Sequence, residues 1–127
     1  QLFDTMQTRK IKIEGAKILV MGLTFKENCP DLRNSKVFDI ISGLEKNNCD
    51  SDIYDPWVSD DKLINSYNFN ILTEKPKAST YDAILITVSH DEFREMGSDM
   101  IRSFGKSNSV IYDLKYLLKP EESDIRL

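Results

Sequence analysis

Residues suited to metal or redox chemistry are scarce in this sequence. Among 127 residues there are one histidine, two cysteines and one tryptophan. Cys29 and Cys49 form no Cys-x-x-Cys pair and have no histidine near them in sequence. Neither a disulfide scaffold nor a metal site is therefore expected, and the compartment reads as reducing, the cytoplasm. A basic excess is also missing. Seventeen Lys+Arg against 21 Asp+Glu give a net charge of -4, which argues against a protein that reads a nucleic-acid backbone. An anion bound here has to be held by a few placed cations. No apolar run approaches the ~18 residues that cross a bilayer, so no membrane partner is expected. The opening Gln-Leu-Phe-Asp-Thr-Met-Gln shows neither a basic leader region nor an initiator Met, so no signal peptide is expected and the chain is expected to start inside a longer one.

What is present is an ordinary globular composition, 40% hydrophobic and 30% charged. Residues 1–14 are polar and mixed in charge and read as a connector, or the end of a helix, leading into a domain that occupies 15–127. The core starts abruptly at Lys17-Ile-Leu-Val-Met-Gly22, a near-continuous apolar run suited to a strand buried on both faces. From Ser35 the period becomes helical, with Val37, Ile40, Ile41 and Leu44 on one face, Asn34 or Ser35 as cap, and Asn47-Asn48 as terminator. Short strands follow at Asp52–Pro56 and Phe69–Leu72, with a short helix expected inside 57–66. Ala83–Val88 is a second continuous apolar strand, followed by a helix around 91–103, a strand at Val110–Tyr112 and a short helix near Leu114–Leu118. This alternation predicts an α/β fold: a Rossmann-like, three-layer, doubly wound parallel sheet of about five strands in the order 3-2-1-4-5.

Ligands of such sheets bind at the carboxyl ends of the strands, beside strand 1, where the strand order reverses. There the sequence has an unusually long connection, Thr24–Asn34, carrying Phe25, Lys26, Pro30 and Arg33. Its position and composition suit a phosphate-containing ligand, or else a surface loop in which Asp31 and Arg33 pair with each other. Gly22-Leu-Thr-Phe-Lys lacks the further glycines of a dinucleotide fingerprint. Asp55 sits at the end of strand 2 where a ribose-binding acid would be, but without the glycines it reads rather as a turn acid ahead of Pro56, and His90 reads as a hydrogen-bonded edge residue with no nucleophile to serve. Trp57 reads as packing over the sheet edge. Lys115, after the last strand, is expected on the same edge as Lys26, either approaching the same anion or simply solvated.

Gly22-Leu-Thr-Phe-Lys-Glu-Asn-Cys-Pro-Asp-Leu-Arg-Asn-Ser35 resembles the signature that opens the C-terminal, UDP-binding domain of the UDP-glucose/GDP-mannose dehydrogenase family. Tyr54-Asp-Pro-Trp-Val58, Tyr81-Asp-Ala-Ile-Leu85, His90-Asp-Glu-Phe93, Tyr112-Asp-Leu-Lys115 and Asp124-Ile-Arg-Leu127 continue the resemblance in the family's order. Cys29-Pro30, where the UDP-glucose branch usually has Thr-Asp, is similar to the branch that oxidises UDP-N-acetylhexosamines (GlcNAc, GalNAc or ManNAc) to uronic acids for surface polysaccharides such as capsule.

The resemblance implies that Phe25, Lys26 and Lys115 contact the UDP-sugar and that Arg33 reaches across a cleft toward the phosphates of NAD. Lys115 stands where much of the family has arginine, so it can neutralise a phosphate but cannot form a bidentate fork. The resemblance also implies an N-terminal NAD-binding domain, a central dimer-forming helix and a catalytic cysteine elsewhere in the polypeptide. No catalytic residue is then expected in this chain, no turnover from it alone, and a homodimer in the full-length enzyme. The rival readings are a structural or interdomain-contact module without a ligand of its own, a receiver-like signalling domain, and a free-standing NAD-binding regulatory domain. The receiver lacks its acidic cluster after strand 1 and its phosphorylatable Asp after strand 3, where the chain reads Thr73-Glu74. The regulatory domain lacks its glycines.

Overall fold

The apolar run after Gly15 forms the centre of the sheet in a computed structural model that describes residues 1–58, 67 and 69–126. Strand β1 (Lys17–Met21) is flanked in parallel by β2 (Asp50–Tyr54) and β4 (Tyr81–Ile86), with Met21 level with Tyr54 on one side and Ile86 on the other. Strand β3 (Asn70–Ile71) lies outside β2. On the other side β5 (Gly105–Asp113) and β6 (Ile125–Arg126) complete an all-parallel sheet ordered β3-β2-β1-β4-β5-β6. The order expected for five strands is thus present, and a sixth extends it.

Alternation along the strands sends side chains to two cores. Ile18 and Val20 of β1, Ile53, Ala83, Leu85 and Val110 pack with Val37, Ile41 and Leu44 of helix α2 (Val37–Lys46) and with Met6 of helix α1 (Leu2–Thr8). Leu19, Met21, Ile84, Ile86 and Ile111 face the other way, onto Phe93 and Ile101 of helix α3 (Asp91–Ser103). Each such fully buried aliphatic or aromatic side chain contributes about 1.5–3 kcal/mol, so a central strand with one apolar set per face is what holds three layers together. The cap expected at Asn34 or Ser35 falls one residue later, at Lys36, while Ser35 Oγ accepts from the Val37 N–H at 3.3 Å and Asn48 takes the left-handed φ of 62° just past α2. Helix α3 is interrupted at Gly97, whose φ of 78° and ψ of 166° only glycine adopts readily.

One local expectation changes. The segment Leu114–Leu118 is no helix: it wraps around the fully buried carboxylate of Asp113, which accepts from the amides of Lys115 and Leu117 at 3.1 Å and of Leu118 at 2.8 Å. Tyr116, at φ 54°, breaks any helical path, and a short 3₁₀ turn forms later, at Pro120–Glu122. The short helix expected inside 57–66 falls mostly outside the described residues. Residues 1–9 are tied down by Arg9, which donates to Asp124 Oδ1 at 2.7 Å and to the Ser109 carbonyl at 2.6 Å, while Arg102 of α3 holds Asp124 Oδ2 at 2.8 Å.

Candidate functional site

Strands β1 and β4 end side by side, and their junction decides how the chain leaves the sheet. Gly22 turns away with φ 110°, close enough to Val88 that a Cβ would sit 2.6 Å from the Val88 Cβ. The buried Thr87 hydroxyl reaches the carbonyls of both Met21 and Gly22, at 2.9 and 2.6 Å. Asp55, at the end of β2, takes the amides of Leu23 and Thr24 on Oδ2 and that of Trp57 on Oδ1. It is therefore the turn acid it was read as, and it also fixes the start of the long connection.

That connection is ordered by its own polar groups. The Phe25 amide donates to the Asp31 carbonyl at 2.7 Å, and Ser35 Oγ donates to the Leu23 carbonyl at 2.7 Å. Asn28 and Asn34 accept left-handed φ values of 54° and 62°. Between this loop, the start of α2, Thr87 and the β5 exit lies an open cleft of about 450 Å³. Phe25, Val37, Ile40 and Leu114 form apolar walls, and Lys36 and Lys115 bring cations to it. Lys36 is the N-cap residue of α2, so its ammonium adds to the positive end of the helix dipole.

Two of the four sequence-derived site residues, Phe25 and Lys115, meet in this cleft. Lys26 and Arg33 are exposed and do not line it. Arg33 forms a two-pronged pair with Asp31, Nε to Oδ1 at 3.0 Å and Nη2 to Oδ2 at 3.1 Å. Each partner stabilises the other's charge: the hydrogen-bonded guanidinium lowers the Asp31 pKa, the carboxylate raises that of Arg33, and Lys26 adds a small attraction on Asp31. The pairing weighed from the sequence is thus the one present. Lys36 was missed by the sequence reading. Its signal was its place directly before the first apolar position of the helix after strand 1.

The remaining candidates have structural partners. His90 is fully buried, with Asp55 on Nε2 at 3.0 Å and the Asn28 amide on Nδ1 at 2.9 Å. Trp57 is half-buried, stacks on His90 and donates to Glu92 Oε1 at 3.0 Å. The Cys49 thiol lies against the Ile13 carbonyl, and burial pushes its pKa up, away from a reactive thiolate. Among the described residues no group of three or more His, Cys, Asp or Glu side chains could hold a metal ion. Nor is any described helix long and apolar enough to cross a membrane. The cleft's chemistry is that of binding: apolar walls for a flat or ring-shaped group, cations and a helix end for an anion.

Residues 19–120 match the model of the UDP-glucose/GDP-mannose dehydrogenase family, UDP binding domain. The chain belongs to this family. Over all 127 residues it is 46% identical to a UDP-N-acetyl-D-glucosamine 6-dehydrogenase of Salmonella typhi and 48% identical to one of Pseudomonas aeruginosa. It spans 30% of the length of each. Among solved structures, the UDP-D-ManNAc dehydrogenase of Pyrococcus horikoshii superposes with a TM-score of 0.70 at 25% identity, over 94% of this chain and 26% of that one. An NDP-N-acetyl-D-galactosaminuronic acid dehydrogenase of Methanosarcina mazei Go1 shares the fold with a TM-score of 0.81 at 20% identity, over 94% and 25% of the two chains.

Proposed function

We propose that this chain is the nucleotide-holding domain of an NAD-dependent UDP-N-acetylhexosamine 6-dehydrogenase, a cytoplasmic homodimer that makes uronic acids for surface polysaccharide. The observation that carries the proposal is the cleft at the β1/β4 junction, where an exposed aromatic, two lysines and a helix N-terminus converge. The near-half identity to two UDP-N-acetylglucosamine 6-dehydrogenases supports the sugar class. In this reading the Phe25 ring packs on the flat parts of the nucleoside, and Lys36 and Lys115 neutralise the diphosphate through charge-assisted hydrogen bonds. Lys26, on the outer rim, meets whatever part of the UDP-sugar extends beyond the cleft. Binding energy from the remote UDP then holds the sugar C6 in place for oxidation in the accompanying polypeptide. Residues 1–14 connect the domain to that part.

NAD, when bound, accepts hydride from the sugar. In this chain the group that fits it is Arg33, with 83% of its side chain accessible. Arg33 would hold a phosphate of NAD through its guanidinium, and would do so by exchanging its pair with Asp31, two residues away. Catalytic cysteine chemistry is assigned to the rest of the enzyme.

Titrating the isotope-labelled chain with UDP tests the reading. Half of an interdomain site is expected to bind at about 1 mM. Saturable shifts should fall at Phe25, Lys36, Val37 and Lys115, and Lys36→Ala and Lys115→Ala should each weaken binding about two- to fivefold, as for an exposed charged contact. Shifts confined to another edge of the sheet would overturn the site. Complete indifference to UDP, here and in the full-length enzyme carrying the same substitutions, would favour an interdomain-contact module without a ligand.

A further inference from the structure

The imidazole of His90 lies beneath the loop that carries Phe25 and Lys26 and touches it at two points. On one side Nε2 lies 3.0 Å from Asp55 Oδ2 and 3.2 Å from Thr24 Oγ1; on the other, Nδ1 lies 2.9 Å from the amide nitrogen of Asn28. A backbone N–H only donates, so Nδ1 accepts, and the network assigns the single ring proton to Nε2. That proton points to Asp55 Oδ2 and Thr24 Oγ1 together, while the Thr24 hydroxyl spends its own proton on the Lys26 carbonyl at 3.0 Å. Thr24 and Asn28 are thus pinned to opposite edges of one buried ring, and Phe25, Lys26 and Glu27 form the span between the pins.

The ring itself is locked. Trp57 stacks on one face with centroids 6.1 Å apart, and Phe93 meets it edge-on at 5.3 Å. Asn28 is turned toward it by a left-handed φ of 54°, and its side-chain oxygen accepts from the Asp91 amide at the start of α3. The sheet, α3 and the loop therefore share this one side chain.

We infer that His90 is a positioning residue for the nucleotide site: its Nε2–H tautomer sets the height and pitch of the loop through the Asn28 amide, and thereby the placement of Phe25 over the cleft. The inference rests on the nucleotide reading above, but its structural half can be read without any nucleotide. His90→Asn puts a side-chain oxygen near the position of Nδ1 and keeps an acceptor for Asn28. His90→Gln keeps a donor toward Asp55 and has no acceptor at the Nδ1 position. Both remove the ring, so they share its packing loss, and thermal melts establish that each is folded.

Three readouts are taken. Ring nitrogen shifts in the wild-type chain should show the Nε2–H tautomer. Hydrogen exchange at the Asn28 amide should be slow in wild type and His90→Asn and about three- to tenfold faster in His90→Gln, the effect of losing one part-buried hydrogen bond. UDP should bind His90→Gln about tenfold more weakly than His90→Asn. An Nδ1–H tautomer, or equal exchange in the two variants, would overturn the inference, and so would equal UDP affinity despite unequal exchange. If the wild-type chain and the full-length enzyme both ignore UDP while the tautomer and exchange results hold, the nucleotide reading fails and the imidazole strut stands as a purely structural one.

Discussion

Replacing Gly22 by alanine adds one methyl group at a crowded backbone position just past β1, and its cost follows from two separate terms. The first is conformational. At φ 110° an L-residue is strained, at about 1–3 kcal/mol. The second is steric. The new Cβ would lie 2.6 Å from the Val88 Cβ and 2.7 Å from its backbone nitrogen, so the segment that follows β4 has to move away from the end of β1. Overpacking of a rigid core costs about a further 1–3 kcal/mol. The sum, about 2–6 kcal/mol, is a large part of the stability of a domain of this size. Gly15 is the internal control: its φ of 82° also strains alanine, but nothing lies within 4 Å of the added atom. Gly15→Ala should therefore lose only the conformational part, about 1–2 kcal/mol. Urea denaturation of the wild type and both variants measures the difference. Equal losses for the two substitutions, or a Gly22→Ala loss under about 1 kcal/mol, would refute the claim that contact between the ends of β1 and β4 is what requires glycine there.

Acid should loosen the N-terminal segment through Asp124. Burial works to raise its pKa, but the Ile111 amide and the Arg102 and Arg9 guanidiniums outweigh it and hold the value below the ordinary 3.8. The folded-state value is the lower one, so this contribution is complete above the unfolded pKa and is lost as pH falls through the folded one. Denaturation midpoints measured between about pH 5 and about pH 2 should fall more steeply for wild type than for Asp124→Asn, and parallel curves would sink the assignment. Asp113→Asn should destabilise by about 1–3 kcal/mol, because an amide nitrogen cannot accept the loop amides that both carboxylate oxygens now hold. Hydrogen exchange at Lys115–Leu118 should accelerate with it, and unchanged exchange would show that the loop is held by other means.

The elements legible in the sequence are those whose pattern is set by burial. Lys17–Gly22 and Ala83–Val88 read as central strands because both faces are covered, and the structure places β1 and β4 there with shifts of only one or two residues at the ends. Helix α2 read from its periodicity and α3 from its place between two strands, although the break at Gly97 was not visible in the sequence. Strand β6 was not legible, since two residues with one apolar side chain carry no pattern. The run Leu114-Lys-Tyr-Leu-Leu118 looks helical by composition, but the buried carboxylate just before it collects its amides instead, a local competition with the helix that the apolar composition does not show. The site divides in the same way. Phe25 and Lys115 were reachable because topology alone places them on the carboxyl edge. Lys26 and Arg33 carry the right chemistry at the right position, yet the Asp31 carbonyl and carboxylate turn that part of the loop outward.

The clamp of Arg9, Asp124 and Arg102 has a consequence for how the domain comes apart. Terminal segments ordinarily fray independently, each opening at little cost. Here Arg9 and Arg102, far apart in sequence, hold opposite oxygens of one carboxylate, so peeling helix α1 from the sheet takes one guanidinium from Asp124 while Arg102 and the Ile111 amide keep the segment leading into β6 in place. Opening of α1 therefore loosens that segment without releasing it.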